Sequence, residues 1–176
     1  MLEYENTGLE FEIDELTNSI RNVITNDSFQ TTISRITKSD LKSITKKKGW
    51  LFNWRKELGF PERDVFKLTI VNNQHIIQGL ISLEVKTDHV YMHLVESAPF
   101  NKGKGKIYSG VPGNLVAFAC KISFQRGHEG NIAFISKTQL IEHYVKTLGA
   151  IHFGGRLMII NTNSALKLVN KYYSNL

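Results

Sequence analysis

The 176-residue sequence predicts one mixed α+β domain, three layers deep, with a mixed central sheet that contains an antiparallel meander and is flanked by helices. Three observations predict it. Residues 65–96 form three alternating apolar and polar runs, split by the short turns Asn72-Asn73 and Thr87-Asp88, the pattern of adjoining hairpins. Residues 131–135 (NIAFI) are almost wholly apolar, as in a strand buried on both faces. On either side, residues 114–126 and 140–148 set apolar side chains at helical spacing.

In chain order, residues 11–25 place Phe11, Leu16, Ile20, Val23 and Ile24 near a helical period, so an amphipathic helix is expected, broken by Asn26-Asp27. Residues 28–36 are β-branched and alternating and read as a strand. Ser39-Asp40 opens a helical pattern carrying Lys42, Lys46, Lys47 and Lys48, and residues 50–58 predict a helix stopped by Gly59-Phe60-Pro61. The meander strands span 65–71, 75–85 and 89–96. After Pro99, glycines at 103, 105, 110 and 113 are interleaved with Lys102, Lys104 and Lys106. Pro112 suits the first turn of the next helix, 114–126, and Gly127 suits its stop. Ser136-x-x-Gln139 has the form of a capping box for the helix 140–148, which Gly149 ends. Strands at 151–153 and 156–160 flank Gly154-Gly155, and Thr162 is positioned to cap a last helix from 163 to about 173.

The composition narrows the setting. Cys120 is the single cysteine, so neither an intrachain disulfide nor a cysteine-based zinc cluster can form, which suits a reducing cytoplasm. The opening residues, MLEYENTGLEFEIDEL, are acidic and lack the basic and apolar regions of a signal peptide. No run approaches 18 apolar residues, so no membrane span is expected. A net charge of +6 suits an anionic cofactor, nucleic acid or an acidic protein. The six histidines are scattered without metal-ligand spacing, and no metal is expected.

Several segments carry a family likeness: the strand HVYMHLVES (89–97), the glycine-containing entry SGVPGNLVAFA (109–119), the strand NIAFIS (131–136) and LIEHYVKTLGA (140–150). Together with the order of elements they resemble the GCN5-related N-acetyltransferases. Tyr144 followed by Gly149-Ala150-Ile151 resembles the family's usual helix ending. The family's phosphate loop typically reads Gln/Arg-x-x-Gly-x-Gly/Ala; here Gly110-Val111-Pro112-Gly113 keeps one glycine and sets proline at the other small position. The connection 97–109 is also longer than usual.

The resemblance implies one acetyltransferase domain over 1–176: a region 1–62 bordering the acceptor, a cofactor-binding core 63–161 and a closing helix 162–176. It implies acetyl-CoA as co-substrate and direct transfer to a primary amine, with no metal. The parallel strands 89–97 and 131–135 would splay, and the backbone of Val95 to Ser97 would meet the pantetheine amides. Tyr144 would supply a proton or hydrogen bond to the departing thiolate.

Residue chemistry adds to this. A helix N-terminus offers unpaired N–H groups and a positive dipole end, and glycines let the backbone approach a pyrophosphate closely. Ser109, Gly110, Val111, Gly113, Asn114 and Leu115 could form that cradle, with Lys106 and its neighbouring lysines adding attraction; the alternative is a turn with solvated lysines. Glu96, at the strand end, is the candidate general base. Trp50 and Trp54, four apart, would share a helix face and line an acceptor pocket or pack in the core, and His93 would face substrate or pack. Lysines 38, 42, 46, 47 and 48 with Arg55 and Lys56 form a basic run, which reads as a solvated face or as a dock for RNA or an acidic protein. A degenerate, non-catalytic module using that face is the competing reading, and a homodimer is compatible with either.

Overall fold

The computed structural model describes residues 8–173. Its main sheet has seven strands: β3 (Thr31–Arg35), β4 (Asp64–Ile70), β5 (Gly79–Val85), β6 (Val90–Ser97), β8 (Ile132–Ile135), β9 (Ile151–His152) and β10 (Leu157–Ile160). They run in the order β3-β4-β5-β6-β8-β10-β9. All neighbours are antiparallel except β6 and β8, which are parallel. A smaller sheet joins β2 (Ser28–Phe29), β1 (Ile20–Asn22) and β7 (Tyr108–Ser109).

The helices are α1 (Trp54–Leu58), α2 (Val111–Gln125), α3 (Ile141–Leu148) and α4 (Thr162–Tyr173). A Cβ on Gly79 would strike Val111 and Leu115, so that residue of β5 faces α2. Its neighbour Leu80 and Leu80's partner Glu96 therefore face the other way, since strand side chains alternate. There Glu96 meets Trp54 of α1. Helices thus cover both faces, and α4 packs beside α2. The core runs through all three layers, with Trp54, Tyr144, Phe134, Leu80, Met92 and Leu115 completely enclosed.

The expected helix over 11–25 is not formed. Leu9, Phe11 and Ile13 are buried while Glu10, Glu12 and Asp14 between them are not, a period of two that belongs to extended chain. Val23 and Ile24, two of the five residues of the supposed stripe, are exposed. The backbone of this stretch is instead spent on pairing: Leu9 bridges Ser136, and β1 pairs with β2 and β7.

Other departures are local. The strand expected over 28–36 breaks at Gln30 into β2 and β3. The lysine-bearing helix is two short 3-10 turns, Ser39–Lys42 and Lys46–Lys48; the Thr45 hydroxyl caps the second, and Gly49 ends it in the left-handed region at φ 100°. The helix expected from 50 begins only at Trp54, because the Leu51 and Phe52 N–H groups are donated to Glu96, and Asn53 supplies the cap. The capping box at 136–139 does not form: the Ser136 hydroxyl donates to the Lys137 carbonyl. Asn161, not Thr162, caps α4 by accepting the Ser164 N–H.

Candidate active site

The site grows from one irregularity in β6. Its register against β5 slips between Ser82 and Leu83, leaving His93 as an extra residue opposite no partner. Beyond the slip, Ala98 donates its N–H to Gln78 on the β5 side. By the two-residue alternation of strand polar groups, Val95 and Ser97 then aim their N–H and C=O toward β8. But β8 is no longer there. The parallel pairing covers only Val90 with Ile132 and Tyr91 with Ala133, and the two strands part beyond it.

The opening lies beside the N-terminal end of α2. Gly110 stands at the helix entrance at φ 95°, a conformation glycine adopts without strain. Pro112 occupies the first turn, where its missing N–H costs nothing. A cleft of about 600 Å³ runs through the opening, lined among others by Val95, Glu96, Ser97, Lys106, Pro112 and His143.

The helix end already holds an anion. The Gly110 N–H donates to Asp14 Oδ1 at 3.0 Å, and Lys106 Nζ lies 2.9 Å from Asp14 Oδ2. The Asp14 carboxylate is the negative group that this helix end holds. Ser109 Oγ donates to Glu15 at 2.5 Å. Asn114 turns inward and ties the Thr17 and Ser19 carbonyls to the helix. Val111 and Leu115 are core residues. Gly113 is closed over, since a Cβ there would lie 2.3 Å from the Tyr172 hydroxyl. Of the six loop residues proposed for the cradle, Gly110 and Ser109 thus meet acidic groups, and the other four hold the helix in place.

Tyr144 is wholly enclosed in α3. Its hydroxyl donates to the Phe11 carbonyl at 2.5 Å, and its ring packs against Phe11 and Phe134. Burial, then the nearby Glu12 and Glu10, holds its proton far above the ordinary tyrosine range. His143 lines the cleft beside it, and its Nε2 accepts the Ile13 N–H at 2.8 Å.

Glu96 is buried, and its two oxygens take four donors: the Leu51 N–H at 2.7 Å, the Phe52 N–H at 3.3 Å, the Trp54 indole N–H at 2.8 Å and Lys102 Nζ at 2.5 Å. Trp50 and Trp54 belong to the core and share no helix face; Leu51 and Phe52 between them line the cleft instead. His93 sits on Glu84 at 2.7 Å and against Tyr91, outside the cleft. The extra residue at the slip puts it on the α1 side, near Glu57 and Arg63, where unbroken alternation would have set it opposite Glu96. Burial, only partly offset by Glu84, pulls its pKa down.

Sequence reasoning missed two participants, Asp14 and Phe11. Their signal was the alternation in LEFEID, which a helical reading of 11–25 overrode.

Known proteins bear on this arrangement through structure alone. No family model and no curated protein matches the sequence. Among solved structures, the spermidine/spermine N-acetyltransferase SpeG from Vibrio cholerae, crystallised with manganese ions, is similar at 17% identity and a TM-score of 0.54, over 78% of this chain and 96% of that one. The spermidine N-acetyltransferase from Vibrio cholerae in complex with CoA and spermine is similar at 16% identity and a TM-score of 0.51, over 78% of this chain and 98% of that one.

The fold is that of the GCN5-related N-acetyltransferases. A chain of a KacTA–DNA complex is also similar, at 13% identity and a TM-score of 0.50, over 79% of this chain and 98% of that one. In acetyltransferase-fold terms, the parted strands, the end of α2 and Tyr144 are the three places that the resemblance marked. The first two border the cleft, and Tyr144 lies enclosed behind Phe11, which lines it. Among the described residues no helix is long and apolar enough to cross a membrane, and no cluster of His, Cys, Asp and Glu could hold a metal ion.

Proposed function

We propose that this chain transfers an acetyl group from acetyl-CoA to a primary amine by direct attack, with both substrates bound together. The observation that carries the reading is the parting of β6 from β8 after two residue pairs, immediately beside the entrance of α2. Acetyl-CoA supplies an activated acyl thioester and an anionic diphosphate. The carboxylate at Gly110 and Lys106 supports a fit for such an anion. The Val95 and Ser97 backbone groups would hold the amides of the cofactor's arm, as one strand holds another.

In this reading Tyr144 donates a proton or hydrogen bond to the departing sulfur, and its raised pKa keeps it protonated for that task. Glu96 receives the proton of the incoming ammonium. The Lys102 ammonium on Glu96 marks the position, so an acceptor would replace that lysine at the same oxygen. The remaining three donors would keep the carboxylate in place throughout. Positioning of the two reactants supplies most of the rate.

Calorimetric titration with acetyl-CoA and with desulfo-CoA, followed by transfer assays against a panel of di- and polyamines, tests the proposal. Saturable binding of both nucleotides with transfer to at least one amine is expected. Absence of binding even at millimolar nucleotide, by the wild type and by Asp14→Ala alike, would refute it. The competing reading, a nucleic-acid dock, draws support from the exposure of Lys38, Lys42, Lys46, Lys47 and Lys48 on one stretch of surface. It requires salt-dependent affinity for RNA or DNA that mutation of those lysines removes.

A further inference from the structure

We infer that residues 8–16 form a built-in strap that walls one side of the cofactor slot, holds its polar groups and must leave before acetyl-CoA can bind. The inference rests on the acetyl-CoA reading above and adds a regulatory step to it. The strap is docked along its whole length. At one end Leu9 extends the sheet, donating its N–H to Ile135 at 2.7 Å and accepting the Lys137 N–H at 3.1 Å. That bridge fills part of the gap left where β6 departs from β8. Glu10 pairs with Lys137. In the middle, Phe11 fills the space against Phe134 and Tyr144, and Ile13 donates to His143. At the other end Asp14 and Glu15 take Gly110, Lys106 and Ser109.

The chemistry of these contacts makes the strap a competitor. Three donors that an acyl-CoA needs, namely the Gly110 N–H, the Lys106 ammonium and the Tyr144 hydroxyl, are each spent on a strap atom. The diphosphate position holds a carboxylate, and the position of the departing sulfur's proton donor holds a backbone carbonyl. Residues 8–16 carry Glu10, Glu12, Asp14 and Glu15 and no lysine or arginine, in a chain of net charge +6. That charge screens the cationic loop that would attract phosphate. Ligand affinity falls in proportion to the fraction of molecules with the slot open.

The strap also carries its own hinge. Gly8 has φ +69°, and a Cβ there would lie 2.6 Å from the Ser136 carbonyl carbon. Only glycine lets the chain approach β8 so closely. Gly8→Ala therefore loosens the strap at the end remote from the phosphate position, without altering any group assigned to the cofactor. Asp14→Ala loosens the other end.

The test uses the full chain, with acetyl-CoA as probe. Affinity is measured by calorimetry for the wild type, Gly8→Ala and Asp14→Ala, with thermal melting to establish that each variant is folded. Hydrogen exchange of the Leu9 and Ile13 amides is followed with and without saturating acetyl-CoA. The expected result is at least tenfold tighter binding by both variants and, in the wild type, faster exchange of both amides when acetyl-CoA is bound. Tightening by Asp14→Ala alone, with Gly8→Ala at wild-type affinity, would be simple removal of a like charge and would overturn the strap. So would wild-type binding that leaves Leu9 and Ile13 fully protected; in both of these cases the acetyl-CoA reading would survive. No binding by any of the three proteins would overturn the acetyl-CoA reading and the strap with it.

Discussion

The two edges of β6 behave in opposite ways. Toward β5 the strand is zipped over seven residue pairs, from Gly79–Ser97 to Val85–Val90, and backed by enclosed side chains such as Leu80 and Ile81. Toward β8 it is paired for two residues and then released. One edge is scaffold and the other borders the cleft. A single slip of register at His93 separates them, because it turns the polar groups of Val95 and Ser97 outward while the β5 ladder continues. A strand can present unspent backbone groups beside a core only if its other edge holds it firmly.

The largest way to break this comparison is at Glu96, whose backbone belongs to the zipped edge and whose carboxylate holds the wall of the cleft. Glu96→Ala leaves the buried Trp54 indole and the Leu51 N–H without their acceptor. A loss of about 3–5 kcal/mol in denaturant unfolding is expected. Leu80→Ala, its partner across the ladder, is expected to cost about 2–5 kcal/mol through the cavity alone. If Glu96→Ala proved nearly silent, the carboxylate would not be organising the cleft.

Tyr144→Phe acts on the open edge. With an amine that the protein accepts, turnover is expected to drop about 100-fold while acetyl-CoA binding is not weakened, since losing the hydroxyl also frees the Phe11 carbonyl. Equal losses in both would make the hydroxyl a binding group only. Gly113→Ala tests the crowded end of α2: the added methyl meets the Tyr172 hydroxyl, and a destabilisation of about 1–3 kcal/mol is expected in thermal melts.

The smallest effect lies far from the opening, at Asp40. Burial raises its pKa, but the Thr37 N–H and Lys67 lower it further, so the net shift is downward from 3.8. A carboxylate with a lowered folded pKa stabilises the protein above its unfolded pKa and loses that contribution as pH falls through the folded value. Asp40→Asn is therefore expected to cost about 1 kcal/mol or less at pH 7, with the difference fading below about pH 3.8. A gap that widened in acid would reverse the sign of this linkage.

The residues differ in how plainly they declared themselves. The meander was legible because its side chains alternate and its turns are short, both local properties. α2 and α3 were legible from their stripes, and Gly149, at φ 67°, ends α3 where expected. Tyr144 and the α2 entrance could be named as candidates from the family resemblance, yet their contacts could not, since those come from residues more than 90 positions away in sequence, such as Phe11 and Asp14. The 11–25 stretch was misread because a helical and an extended period share Phe11, and only tertiary pairing decides between them. Trp50 and Trp54 misled for a related reason: a buried carboxylate claimed the two backbone N–H groups between them.

The parting of β6 and β8 can be tested directly by titrating acetyl-CoA into isotope-labelled protein and following backbone amide resonances. The account predicts large shifts at Val95, Ser97 and Gly110, with Leu80 and Ile81 on the zipped edge almost unmoved. Saturable binding that left Val95 and Ser97 unshifted would contradict it, for the cofactor would then lie somewhere other than the gap between the strands.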